Sequence, residues 1–127
     1  MLSRYKKSYR KIAMGLMSLA VKEKELKSLQ QLMDLYENDP YYQLYIWKEA
    51  EKVIGIIGAE KRNDEFIIHH VSVIPSYPKK EIAEKMAVKL QQISEFEKLR
   101  ISNETEPLVS GSHGSIKQNL PSEQIIS

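Results

Sequence analysis

The stretch Phe66-Ile67-Ile68-His69-His70-Val71-Ser72-Val73-Ile74-Pro75-Ser76-Tyr77-Pro78-Lys79-Lys80-Glu81-Ile82-Ala83 decides the fold. Its first half is rich in β-branched and aromatic residues, and Pro75 and Pro78 stop it, so Phe66 to Val73 reads as a strand. Behind the prolines, Ile82, Met86, Leu90 and Ile93 recur at helical spacing and predict a helix over Lys80 to Phe96. Leu99 to Ser102 is a second, short strand. A helix between two strands lets them pair in parallel, so this segment predicts a βαβ unit.

Two more strands lie upstream, each followed by a polar turn. Tyr41 to Trp47 is aromatic and ends at the turn Glu49-Ala50-Glu51-Lys52. Val53 to Glu60 is β-branched, contains Gly55 and Gly58, and ends at Arg62-Asn63-Asp64-Glu65. Short polar turns join neighbours, so these strands and Phe66–Val73 form an antiparallel meander. Before them come two helices. Ile12, Leu16 and Leu19 share one helical face, and Leu26, Leu29, Leu32, Met33 and Tyr36 mark a helix from Glu23 to Tyr36, stopped by Asn38-Asp39-Pro40. Leu2 to Lys6 opens the chain as a short strand. The expected fold is α/β (α+β): a mixed, mostly antiparallel five-stranded sheet with two N-terminal helices and a βαβ unit.

The chain's 127 residues suit a single domain, expected over residues 1–109. Glu104 to Val109 fits one helical turn. Residues 110–127 shift to Ser, Gly, Gln and Asn and read as a weakly ordered tail, which would end the sheet early, truncated at its C-terminal side. That would leave Leu99–Ser102 as an edge for the tail or a second copy, a possible homodimer, to cover. With no cysteine, disulfides, Cys-ligated metals and a cysteine nucleophile are excluded, and three histidines give little basis for a metal site. No apolar run approaches the ~20 residues of a spanning helix, so no membrane partner is expected.

Charge is uneven. Residues 1–30 carry eight Lys/Arg against two Glu, a net of +6, and the remainder a net of −4. Arg4, Lys6, Lys7, Arg10 and Lys11 before the apolar Ile12–Val21 resemble a secretion signal, but Gly15 and Ser18 weaken that stretch and charge resumes at Lys22. The cytoplasm is therefore the expected compartment. A basic end can also meet nucleic acid, yet no recognised motif accompanies it, and a solvated helix explains it more simply; no nucleic-acid partner is expected.

The order strand, two helices, three-strand meander, helix, strand resembles the GNAT family of acyl-CoA-dependent N-acetyltransferases. Val71-Ser72-Val73-Ile74-Pro75 and the helix start at Pro78–Ala83 carry the resemblance, and Arg4-Tyr5-Lys6-Lys7-Ser8 and Lys11-Ile12-Ala13-Met14-Gly15-Leu16 add to it. It covers about residues 1–106. It implies transfer of an acetyl group from acetyl-CoA, as co-substrate, to an amine of a small-molecule or protein acceptor. The cofactor would lie along Val71, Ser72 and Val73, which offer backbone groups to its pantetheine arm. Pro78, Lys79, Lys80, Glu81, Ile82 and Ala83 would form the pyrophosphate turn, and Asn103 would stand near the arm.

The chain departs from the family pattern in that turn, where an Arg or Gln and a first glycine are usual. Pro78 stands at the former position and removes a donor. Glu81 stands at the latter, where a carboxylate about 5 Å from a phosphate would cost roughly 1–3 kcal/mol. Lys79 and Lys80 would offset part of that, and Glu81 also suits the first turn of any helix. The second expectation is therefore a catalytically weakened domain of the same fold that binds CoA or a partner.

Acyl transfer to an amine needs a proton acceptor. Glu65, His69 and His70 are the candidates, each also explained as an ordinary core or surface residue. Because strand neighbours face opposite sides, at most one of the two histidines is expected in a given cleft. Tyr36, Tyr41, Tyr42, Tyr45 and Trp47 could line an acceptor pocket, although packing explains them as well.

Overall fold

A computed structural model of the chain describes residues 1–21, 26–63, 65–94 and 98–101. Strand β1 (Leu2–Arg4) leads through a short 3-10 turn at Lys7–Tyr9 into helix α1 (Arg10–Ala20). Helix α2 (Leu26–Asn38) follows, then strands β2 (Tyr42–Glu49), β3 (Lys52–Arg62) and β4 (Glu65–Val73), helix α3 (Lys79–Ser94) and strand β5 (Lys98–Ile101). The sheet order is β1-β2-β3-β4-β5. The first four strands are antiparallel, and β5 pairs in parallel with the first half of β4, from Glu65↔Lys98 to Ile68↔Ile101.

Both hairpin turns stand where polar residues interrupt the apolar runs. Glu49 pairs with Lys52 across Ala50 and Glu51, both at positive φ. That is the two-residue turn whose twist suits a hairpin, built here without the usual glycine or asparagine. Arg62 pairs with Glu65, and Asn63, a residue tolerant of positive φ, takes that conformation.

The sheet separates two cores. On one face α3 contributes Ile82, Ala83, Met86, Ala87 and Leu90 against Ile54, Ile57, Phe66, Ile68, Val71 and Val73. On the other, α1 and α2 bring Ala13, Leu16, Met17, Leu29, Met33 and Tyr36 against Leu44, Ile46, Val53 and Ile56.

Three expectations need correcting. β1 ends at Arg4 rather than Lys6: Tyr5 makes a last hydrogen bond to β2, from its N–H to the Leu44 carbonyl, and the chain then turns into the 3-10 segment at Lys7. In α1 the buried stripe is Ala13, Leu16 and Met17, and Ile12 and Leu19 are 43% and 45% exposed. The small Ala13 lets the helix approach the sheet, rotating the expected stripe away. In α3 the expected Ile82, Met86 and Leu90 are buried, joined by Ala83 and Ala87, and only Ile93 is half exposed. Asn103, the Glu104–Val109 turn and the Ser110–Ser127 tail lie outside the described residues.

Candidate active site

The site is built on the second half of β4, beyond its described pairing with β5. The N–H of Ile74 donates to the carbonyl of Ile54 at 2.8 Å, which fixes the hydrogen-bonding parity of the β3–β4 ladder. Alternation then turns the N–H and C=O of His70 and Ser72 towards β3, and those of Val71 and Val73 towards the opposite edge. Described pairing on that edge stops at Ile68, so among the described residues the Val71 and Val73 backbone groups there have no partner. Their side chains are buried beneath α3. Ser72 points its side chain to the other face, where it is buried with its hydroxyl unpaired.

The strand then leads into the turn before α3. Pro78 offers its carbonyl to the N–H of Ile82 at 3.1 Å and so acts as the helix cap. The N–H groups of Lys79, Lys80 and Glu81 are the first-turn donors that no helical carbonyl reaches. Ile82 and Ala83 bury their side chains in the core, so only backbone is left to them at this turn. Glu81 points outward, 60% exposed, with its carboxylate 3.5 Å from the Lys85 ammonium one helical turn on. Its charge is thus partly balanced within the helix.

Midway along β4 the ladder slips. Gly58 pairs with His70 but Ala59 pairs with Ile68, leaving His69 as an extra residue, a β-bulge. A bulge places two successive side chains on one side of the sheet. Both histidines therefore project to the α2 face, with ring centroids 6.4 Å apart, against the expectation that only one would do so. The alternation rule fails because it assumes an unbroken ladder.

Around them gather Tyr36 from α2, Tyr42 from β2 and Glu60 from β3. Tyr36 Oη and His70 Nδ1 share a hydrogen bond of 2.7 Å. Tyr42 stacks on His69 at 6.2 Å and meets Tyr36 edge-on at 5.8 Å. Tyr36 can lie over β3 only because residue 58 is glycine: a Cβ there would overlap its hydroxyl and ring. Glu60 Oε1 stands 3.0 Å from His69 Nε2, and the Arg62 guanidinium donates to both Glu60 oxygens.

Burial, and then the neighbouring His69, push His70 down to about 4, so its imidazole is neutral near pH 7. Burial, and then Tyr42 and Glu60, raise Tyr36 and keep its phenol protonated. Burial pulls Glu60 upward, but hydrogen bonds from His69 and Arg62 more than offset it, leaving the carboxylate below its ordinary range. An ionised carboxylate only accepts, so His69 donates its Nε2–H to Glu60, and Nδ1 is the ring nitrogen left for another group.

Glu65 is not part of this group. It begins β4, five residues before His70, about 16 Å along the strand. Glu60, absent from the sequence reading, takes its place. Spacing alone does not connect Glu60 to His69 nine residues later; the hairpin register and the bulge do. One signal was present: a glycine inside a β-branched run marks a bulge or a close approach, and Gly58, one of two in its run, stands at both.

The Acetyltransferase (GNAT) family model matches residues 9–112. A protein of Bacillus methanolicus, described as an uncharacterized N-acetyltransferase in the lysA 3′ region, is 49% identical over 94 residues, 73% of this chain and 78% of that protein. The aminoglycoside N-acetyltransferase AAC(6′)-Iy in complex with CoA has a similar structure, with a TM-score of 0.71 at 11% identity over 91% of this chain and 85% of that one. A SpeG spermidine N-acetyltransferase chimera from Vibrio cholerae and hSSAT gives 0.59 at 12% identity over 74% of this chain. The chain spans 63% of that chimera's length. At such identities the solved structures speak for the fold alone, while the family match and the Bacillus relative speak for descent: the chain belongs to the GNAT family of acetyltransferases.

Proposed function

We propose that the protein transfers an acetyl group from acetyl-CoA to an amine, using the bulged histidines of β4. The observation that carries this reading is the junction at the bulge: a strand edge without a partner among the described residues on one side, and on the other the two imidazoles held by Glu60 and Tyr36. The donor set fits the carrier. Backbone groups of Val71 and Val73 suit the amides of pantetheine, as an added strand would. The free N–H groups of Lys79, Lys80 and Glu81, with two lysine side chains, suit a pyrophosphate. Bound acetyl-CoA supplies the activated acetyl group.

The remaining work falls to the chain's own side chains. His69 Nδ1 takes the proton that the attacking amine loses, and Glu60, 3.0 Å from Nε2, stabilises the imidazolium that forms. His70 stays uncharged and keeps the floor of the cleft from repelling the forming cation. The Val71 N–H serves as a donor to the thioester oxygen. The named relatives take spermidine and aminoglycosides, both amines, which supports an amine acceptor here. Resemblance of Arg4–Ser8, Lys11–Leu16, Gln43-Leu44, Trp47–Glu49 and Val53–Gly55 to the small acetyltransferase-like protein of bacterial riboflavin operons supports a role beside riboflavin synthesis in the cytoplasm. The weakened reading keeps one observation in its favour, the donorless Pro78 at the helix cap.

Calorimetric titration with acetyl-CoA and CoA, together with thiol release across a panel of amines, tests the proposal. His69→Gln and Glu60→Gln should each lower kcat by about 10²-fold, with acetyl-CoA affinity held within about twofold. Binding without thiol release from any amine would favour the weakened domain, and full kcat in both variants would remove His69 from the mechanism.

A further inference from the structure

His70 has two ring nitrogens, and its contacts account for one of them. Nδ1 lies 2.7 Å from the Tyr36 hydroxyl. Among the described residues that hydroxyl has no other hydrogen-bond partner, and Nε2 of His70 has none. Tyr36 is buried, whereas His70 is only partly so.

These contacts fix where the hydrogens are. A hydroxyl carries one hydrogen, and burying it without an acceptor is costly. If Nδ1 donated to Tyr36, the phenol hydrogen would be left in that position. Tyr36 therefore donates and Nδ1 accepts. Burial, and then His69, keep the His70 ring uncharged near pH 7. A neutral imidazole that accepts at one nitrogen carries its hydrogen on the other, so His70 presents an Nε2–H.

The direction of that N–H follows from where Tyr36 stands. Its hydroxyl lies over β3, at the spot a Cβ of residue 58 would fill, and Gly58 is the residue paired with His70. Nδ1 thus faces β3. The two nitrogens flank one ring carbon and point in widely divergent directions, so Nε2 faces away from β3, towards the other edge of β4. Val71, the next residue, turns its N–H to that same edge, where described pairing stops at Ile68. Two donors, one from a side chain and one from the backbone, therefore face the same side of the strand.

We infer that His70 is a second donor to the thioester oxygen, its Nε2–H acting beside the Val71 N–H, and that Tyr36 is the positioning residue that holds the hydrogen on Nε2. The inference rests on the proposed acetyl transfer at the bulge. It gives the two histidines different tasks: His69 takes a proton, while His70 gives a hydrogen bond and keeps its own. As the amine's lone pair forms the C–N bond, the carbonyl π pair moves to oxygen, and both N–H groups bond more strongly to the growing charge. When that pair returns, the C–S bond breaks with its electrons on sulfur, and the proton left on His69 restores the thiol. A neutral imidazole suits this work, because it polarises a carbonyl without competing as an acid.

NMR of the ring nitrogens reads the tautomer directly. His70 should carry its hydrogen on Nε2, and Tyr36→Phe should admit the other tautomer as a measurable fraction. Hydrogen on Nδ1 in the wild type would overturn the inference, and an unchanged tautomer in Tyr36→Phe would remove Tyr36 from it. Two unreactive carriers then test the contact. The oxygen-ester analogue of acetyl-CoA keeps the carbonyl in place, and S-ethyl-CoA lacks it. The Nε2–H signal should shift with the first only; a shift with both, or with neither, refutes the contact. In thiol release, His70→Leu should lower kcat about 10²-fold, with KM for acetyl-CoA held within about twofold. His70→Gln, which places an amide N–H near the lost one, should recover about tenfold of that loss. Full kcat in the leucine variant, or a glutamine variant no better than it, would also sink the inference. If no amine releases thiol, the acetyl-transfer reading fails separately, and the two NMR measurements judge His70 alone.

Discussion

Gly58→Ala tests the geometry that holds the site together. A Cβ at residue 58 would stand 2.9 Å from Tyr36 Cε1 and closer still to its hydroxyl. Tyr36 is 5% exposed, packed between α2 and the sheet. Overpacking of this kind costs about 1–3 kcal/mol. Displacing the ring also breaks the 2.7 Å hydrogen bond to His70, worth about 1 kcal/mol. Against these stands the gain of replacing a strand glycine by alanine, roughly 0.5–1 kcal/mol. The net loss should be about 1–3.5 kcal/mol, or a fall in Tm of about 5–15 °C for a domain of this size. Urea unfolding and calorimetry of Gly58→Ala, Tyr36→Leu and the double variant measure it. In the Tyr36→Leu background the alanine should cost nothing or stabilise slightly, because the atoms it would strike are gone. An unchanged Tm in the single variant, or an equal loss in both backgrounds, would refute the contact as the reason for the glycine.

Two further outcomes follow from the charges. His70 titrates at about 4 in the folded chain, against an ordinary value near 6.5 when unfolded, so the unfolded state binds more protons between those values. Its contribution is fully present above about pH 6.5 and lost as pH falls to 4, up to about 3 kcal/mol; urea midpoints from pH 7 to 4 should fall more steeply for the wild type than for His70→Gln. Glu81→Gln should tighten acetyl-CoA binding by only about two- to fivefold, since Lys85 at 3.5 Å already screens the carboxylate; a gain of a hundredfold by calorimetric titration would mean that Glu81 faces the phosphate directly.

The larger elements were legible because their signals are local. Apolar runs in the meander, the polar breaks at 49–52 and 62–65, and the prolines at 75 and 78 each lie within a few residues of what they specify. A helix between Val73 and the last strand then left parallel pairing as the natural connection, and β5 takes it. The helix faces were read less well. Leu and Ile were weighted above Ala, yet in α1 Ala13 is fully buried while Ile12 and Leu19 are exposed, and in α3 Ala83 and Ala87 are buried beside the expected Ile82, Met86 and Leu90.

The site was harder because its decisive feature is a register slip. Alternation along β4 assigns His69 and His70 to opposite faces, and one extra residue at the bulge returns both to the same face. That slip turns two unremarkable histidines into a pair within reach of Glu60, Tyr42 and Tyr36, residues contributed by three other elements. Two adjacent polar residues inside an apolar strand already break its period, and Gly58 stands directly across the ladder from one of them. Taken together, those two irregularities specify the bulge better than either does alone. The glycine permits Tyr36 to cross the sheet, Tyr36 occupies Nδ1 of His70, and the extra residue turns His69 towards Glu60. Removing the slip, by deleting His69, would restore alternation with every other side chain of β4 on its present face, and would take away only the residue that reaches Glu60. The chemistry therefore depends on one residue more than the sheet itself requires.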